Sequence, residues 1–177
     1  RIDGLVNTAR IYPRGVHRET TAAFFDHVFA VNTRAPLLCA EAAIRAFRLQ
    51  KSGGSIVTVG SINAWCGQSN LTVYSMSKGA LMTMTRNIAN TVGREKIRAN
   101  QLNVGWTFTA SEDATQQSEG RKPGWQNVVP VVLGRRGRIM QLEVDGGQTD
   151  FWVSDDSAPV SGQIYEVEQF PVIGRPH

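Results

Sequence analysis

The chain has 177 residues, a formal net charge of +4, 41% hydrophobic and 19% charged residues, the composition of a single globular domain with a buried core and not of a disordered segment. No apolar run approaches the roughly 18 residues that a membrane span needs, and Cys39 and Cys66 have neither a metal-ligand spacing nor a disulfide framework to join, so a membrane partner, a metal and a disulfide scaffold are set aside. The basic residues are dispersed except for Arg135, Arg136 and Arg138, with no interleaved aromatics, which argues against a nucleic-acid partner, and no signal peptide is recognisable, so a cytoplasmic protein is expected.

Residues 2–7, with Leu5 and Val6 at their centre, read as a short buried strand, and residues 9–18, with Pro13 and Gly15, as a loop. From Thr21 to about Gln50, apolar residues recur at helical spacing (Phe24, Phe25, Val28, Val31, then Leu38, Ala42, Ala43, Ala46, Phe47), interrupted by Pro36. The β-branched run Ile56-Val57-Thr58-Val59 predicts a strand covered on both faces, ending at Ser61. A second long helix is expected over about 73–91, closing at Gly93 as its C-cap, and a strand over 97–104. Residues 105–124 are polar and weakly periodic, which predicts a mobile flap, about 106–127, over the rest of a single domain. Residues 139–153 fit a helix despite Gly146 and Gly147, each costing about 1 kcal/mol relative to alanine, and 163–168 fit a last strand.

Strands alternating with long helices predict a doubly wound α/β domain, a parallel sheet with helices on both faces. In that architecture ligands bind beyond the carboxyl ends of the strands, where Asn7, Ser61 and Gly105 fall. Tyr74 and Lys78, four residues apart at the start of a helix, share one face. A neighbouring ammonium favours the phenolate, so Lys78 is expected to lower the pKa of Tyr74 and make it a usable acid or base. Ser61, thirteen residues before Tyr74 at a strand end, supplies a hydroxyl for a substrate oxygen.

With Ser61, Tyr74 and Lys78 in this order and spacing, the chain resembles the short-chain dehydrogenase/reductase family. Leu5-Val6-Asn7-Thr8-Ala9-Arg10 is similar to the family's Asn-Asn-Ala-Gly strand end, and Val31-Asn32 to its helix asparagine. Arg98-Ala99-Asn100 and the segment from Val104 to Thr109 are similar to the Arg-Val-Asn and Pro-Gly segments, and 151–163 to the last helix and strand. The resemblance implies a Rossmann-like fold, hydride transfer between NAD or NADP and an alcohol or carbonyl, and a homo-oligomer, dimer or tetramer, paired through the two long helices. It implies Tyr74 as general acid/base, Ser61 holding the reacting oxygen, Lys78 tuning Tyr74 while binding the nicotinamide ribose, and Asn32 holding a relay water. Asn7, Ala9, Tyr74, Lys78, Gly105, Thr107 and Thr109 would face the cofactor. Asn63, Trp65, Cys66, Gln68 and Trp106 are expected to line a substrate pocket with Ser61, a mixed polar and aromatic lining that suits a small hydroxylated substrate. For Asn32 the residues add an argument: Pro36 has no N–H for the carbonyl four residues earlier, so that carbonyl needs another partner. The plainer alternative is that Pro36 only kinks the helix and Asn32 faces solvent.

Several features depart from the family. No glycine-rich strand-to-helix turn occurs, and the chain opens on Arg1 within a strand, so a C-terminal part is expected, lacking the first β-α-β-α-β half. Such a piece would have the 2–7 strand on an edge, prone to association, with little turnover of its own. Thr8 and Arg10 stand where the family has asparagine and glycine, leaving Arg10 to crowd or contact the cofactor, and Val104 replaces the proline. A non-catalytic binding or regulatory relative therefore stays open beside the enzyme. A serine hydrolase does not, because Gly60-Ser61-Ile62-Asn63 lacks the nucleophile elbow. His17 and His27 fall in no relay or metal motif.

Overall fold

The computed structural model describes residues 1–65, 68–129, 134 and 137–170. Cys66, Arg135 and Arg136 lie outside these. Strands β1 (Gly4–Asn7), β2 (Gly54–Ser61), β3 (Ile97–Val104) and β4 (Ile164–Val167) form a parallel sheet in that spatial order, in register at Val6 with Val57, Val57 with Asn100, and Leu102 with Tyr165. Helices α1 (Ala22–Phe29), α2 (Ala35–Gln50), α3 (Thr72–Val92), α4 (Ala110–Ser118) and α5 (Leu142–Val153) connect or flank the strands.

The period-two alternation of the strands divides the core between two faces. On one, Ala40, Ala43, Ile44 and Phe47 of α2 and Ala89 and Val92 of α3 pack against Ile56, Ile97 and Ala99. On the other, Trp152 of α5 and Met140 pack against Val57, Leu102 and Val167. Gly54 is what lets Phe47 lie against β2, since a β-carbon there would collide with the phenyl ring.

The helix expected over residues 21–50 is continuous but not uniform. Between α1 and α2 the chain makes a π turn, Ala30–Arg34, and the Ala35 N–H donates to the Ala30 carbonyl, five residues back. Pro36 follows at once as the second residue of α2. Widening the turn before a residue without a donor carries the helix past it unbroken.

At the end of α3, Gly93 keeps a right-handed φ of −58° and opens a 3₁₀ turn, Gly93–Glu95; the left-handed position falls on Lys96, φ 57°. α3 thus closes at Gly93 as expected, but the glycine is not the left-handed residue, because the extra turn defers the reversal until the chain meets β3. Ile139 and Met140 lie outside α5. The Phe108 N–H donates to the Met140 carbonyl at 2.9 Å, the Met140 N–H to the Trp106 carbonyl at 3.1 Å and the Ile139 N–H to the Gln126 carbonyl at 3.2 Å, so their burial comes from pairing with residues 106–108 and 126 and not from a helical face.

Arg98 is buried without a carboxylate. Its guanidinium donates to Ser157 Oγ, to the Ser154 carbonyl at 2.7 Å and to the Trp152 carbonyl at 3.4 Å, gathering the free acceptors at the C-terminal end of α5, where the helix dipole favours a cation. Asn100 completes the attachment, donating to the Val160 carbonyl and accepting from the Gln163 N–H, both at 3.0 Å. Replacing Arg98 with methionine is expected to destabilise the fold by about 2–3 kcal/mol, read as a lower urea midpoint with an unchanged slope; a shift under about 0.5 kcal/mol would show the pairing to be inconsequential.

Candidate active site

The carboxyl ends of β1, β2 and β3 open onto a cleft of about 690 Å³. Ser61, Asn63, Gln68, Tyr74, Gly105, Trp106, Thr107 and Thr109, all singled out from the sequence, line it, together with Thr8, Arg10 and Tyr12. The other candidates fall elsewhere. Trp65 is 40% exposed and is not part of the lining. Asn7 turns toward α2, its side-chain amide donating to the Pro36 carbonyl at 3.4 Å, and Ala9 is exposed beside the rim. Neither is part of the lining of the cleft.

Ser61 is the last residue of β2, buried, its oxygen accepting the Asn63 N–H at 3.2 Å. Tyr74 stands in the first turn of α3, and Lys78 one turn further on is only 1% exposed. The Lys78 ammonium donates to the Val59 carbonyl at 2.8 Å and lies 5.9 Å from the centroid of the Tyr74 ring. It retains two further N–H donors for a ligand.

The electrostatics differ from the expectation in an instructive way. Tyr74 is raised, not lowered: burial penalises its phenolate first, hydrogen bonding from Ser61 and the charge of Arg10 pull the other way, and Tyr12 and Glu112 push it up again. Lys78 does not act on Tyr74 as the expected fixed cation, because burial, with Arg10 adding to it, pushes Lys78 itself down to about 7. The cation that bears on the tyrosine is Arg10, which the sequence marked only as a departure from the family.

A depressed lysine has a linkage consequence. Between about 7, its folded value, and 10.5, its ordinary value, the unfolded chain binds more protons than the folded one, so this group makes stability rise with pH across that window. The slope approaches about 1.4 kcal/mol per pH unit. Lys78→Met is expected to abolish this component, measured by urea unfolding at about pH 6, 8 and 10; identical pH profiles for variant and wild type would overturn it.

Asn32 does not face solvent. It is fully buried in the π turn, its oxygen accepting the Ile11 N–H at 2.9 Å and its amide donating to the Ile11 carbonyl at 2.8 Å and to Ser77 Oγ at 3.1 Å. Ser77 in turn donates to the Tyr74 carbonyl at 2.6 Å. One asparagine thereby ties the loop after β1 to the first turns of α3, where Tyr74 sits.

Residues 105–124, read as a polar flap, contain α4, capped by Thr109, whose side chain accepts the Glu112 N–H. Its contacts are polar and aromatic, which is why periodicity did not reveal it. The Trp106 indole donates to Glu112 and that of Trp125 to Asp113, at 2.8 and 2.9 Å, and the two rings stack with centroids 5.2 Å apart. Two bridges join α4 to the loop after β1: Tyr12 to Ser111 at 2.9 Å and Arg14 to Glu119 at 2.9 Å. Tyr12, Glu112 and Asp145 were missed from sequence because no spacing links them; Pro13, next to Tyr12, was the only local cue. Asp145 lines the cleft from α5, its carboxyl raised by burial, with hydrogen bonding from Thr107 and the charge of Arg10 opposing. At Gly105 the Glu168 carboxylate lies where a β-carbon would be, so any side chain there would have to displace it.

No group of histidine, cysteine and carboxylate ligands suited to a metal occurs among the described residues, and no helix among them is long and apolar enough to cross a membrane.

A parallel sheet with a strand-end serine and a helix-start tyrosine and lysine at its carboxyl edge defines a class of protein, and comparison with known proteins agrees: the chain belongs to the short-chain dehydrogenase/reductase family. The family description that matches residues 1–169 is that of enoyl-(acyl carrier protein) reductase. The chain is similar to an L-xylulose reductase of Caenorhabditis elegans, 41% identical, covering 94% of this chain and 64% of that protein. It is also similar to a 3-oxoacyl-[acyl-carrier-protein] reductase of Homo sapiens, 38% identical, covering 80% and 56%. It thus spans less than two thirds of the length of these relatives. Among solved structures, ElxO with NADP bound shares the fold at a TM-score of 0.84 and 20% identity, covering 94% of this chain and 66% of the other.

Proposed function

We propose that the chain carries the catalytic part of an NAD- or NADP-dependent oxidoreductase that interconverts an alcohol and a carbonyl. The observation that carries this reading is the grouping of Ser61 and Tyr74 on the wall of one cleft with Lys78 buried directly behind them.

The nicotinamide end of a dinucleotide fits the residues present. Gly105 offers backbone without a side chain, Thr107 and Thr109 line the same wall, and Lys78 keeps free donors from its buried position. The cofactor would supply or accept the hydride. Ser61 would hold the substrate oxygen by hydrogen bond, and Tyr74, whose burial keeps it protonated at neutral pH, would donate a proton to that oxygen in the direction of reduction. In the direction of oxidation Tyr74 must first lose its proton, which Arg10 and hydrogen bonding from Ser61 favour. The carbonyl of Asn32, denied the Pro36 donor, would hold a water that resupplies the proton. The segment over about 106–127 would cover the cleft through α4, and the exposed Leu37 and Leu38 on α2 and Met76 on α3 suit pairing with a second copy through those helices.

A second reading, a non-catalytic relative that does not hold a dinucleotide by itself, is favoured by one observation: no glycine-rich turn for the pyrophosphate occurs within these residues. The two are separated by titrating the folded chain with NADH and NADPH, following the quenching of tryptophan fluorescence. Saturable binding of either is the result expected of the oxidoreductase. A folded chain that binds neither, and remains without turnover, would support the non-catalytic reading.

A further inference from the structure

Three arginines line the cleft, and two of them are already engaged. Arg14 is paired with Glu119 at 2.9 Å. Arg121 lies over both indoles of the aromatic wall, 5.3 Å from the Trp106 centroid and 5.4 Å from that of Trp125. Arg10 is exposed, forms no salt bridge among the described residues, and lies over one ring where Arg121 lies over two.

Arg10 is nevertheless oriented. Its guanidinium carbon sits over the Tyr12 ring, 5.2 Å from the centroid, an arrangement in which the ring's face attracts the cation and leaves the N–H edge open. Tyr12 is itself held, its hydroxyl on Ser111 of α4 and its ring edge-on to Tyr74, with centroids 6.3 Å apart. Arg10 therefore lies no further from the Tyr74 ring than the sum of those two spans, and both residues line the one cleft. The influence of Arg10 on Tyr74, Lys78 and Asp145 agrees with this placement. Asp145 lines the same cleft, its carboxyl raised by burial with the charge of Arg10 opposing, and no salt bridge joins the two among the described residues.

We infer that Arg10 is a substrate-binding residue that pairs with a carboxylate, so that the cleft selects a small hydroxy or keto acid over an uncharged alcohol of the same size. A single open guanidinium fork matches one planar carboxylate. The carboxyl groups that share the cleft, Glu112, Asp145 and Glu168, oppose a doubly charged phosphate more than a singly charged carboxylate. The inference extends the oxidoreductase reading by naming its substrate class, while the binding it asserts does not depend on turnover.

The test compares 3-hydroxybutyrate with 1,3-butanediol, a near-isosteric pair differing in the carboxylate, on wild type, Arg10→Met and Arg10→Lys. Binding is followed by tryptophan fluorescence, and folding is checked by circular dichroism. Wild type is expected to bind the acid about 10- to 100-fold more tightly than the diol. Arg10→Met is expected to erase that preference, and Arg10→Lys to keep part of it, since a lysine restores the charge but not the fork. Equal affinity for acid and diol, no saturable binding of the acid, or a preference that survives in Arg10→Met would each overturn the inference. So would an Arg10→Met variant that loses affinity for NADPH but not for the acid, which would give the arginine to the cofactor. Failure of the oxidoreductase reading is distinguishable: the acid preference would persist while neither NADH nor NADPH binds.

Discussion

Replacing Tyr74 with phenylalanine is expected to lower turnover by about 10²- to 10⁴-fold, the usual contribution of a positioned general acid or base, with little change in stability. The hydroxyl is the only group removed, and the contact that fixes this turn of α3, Ser77 Oγ to the Tyr74 carbonyl at 2.6 Å, belongs to the backbone and survives. Substrate affinity should change far less than kcat, because Ser61 remains to hold the oxygen. A second readout is independent of catalysis. Burial raises the Tyr74 hydroxyl, so ultraviolet titration of the wild-type chain should show one tyrosine ionising above the ordinary range near 10, and that component should vanish in the phenylalanine variant. Turnover within about threefold of wild type would remove Tyr74 from the chemistry.

Phe47→Ala is expected to cost about 3–5 kcal/mol, the range for emptying a buried aromatic site. The ring is 1% exposed and joins α2 to the sheet through Ile44, Ile56 and Ile97. It also lies where a β-carbon on Gly54 would be, and this makes the prediction specific. In the Phe47→Ala background a Gly54→Ala substitution should be better tolerated than in the wild type, since the phenyl ring it would strike is gone. Urea unfolding of the four proteins of this cycle measures the coupling; strict additivity would show that the glycine and the ring are unrelated.

The fold was largely legible in the sequence because its strands are covered on both faces. Ile56-Val57-Thr58-Val59 has no polar alternation and reads as an interior strand, and β3 runs over Ile97–Val104 as expected. Legibility failed where burial is polar. Glu112 and Gln116 face inward from α4 at 8% and 6% exposure, so a reading keyed to apolar spacing missed the helix in their segment. It failed again at Ile139 and Met140, whose apolar character reflects a pairing with residues distant in the chain.

The catalytic candidates Ser61, Tyr74 and Lys78 were determined by sequence alone, because their order and spacing place them on a strand end and one helical face whatever surrounds them. Their charge states were not. The low value of Lys78 arises from burial against the sheet, the raised Tyr74 from the same exclusion of water, and the field on both from Arg10, more than sixty residues away in the chain. Spacing along a chain is a local property that a sequence displays directly. Desolvation and through-space charge depend on which distant segments come together, and the tertiary structure alone decides that.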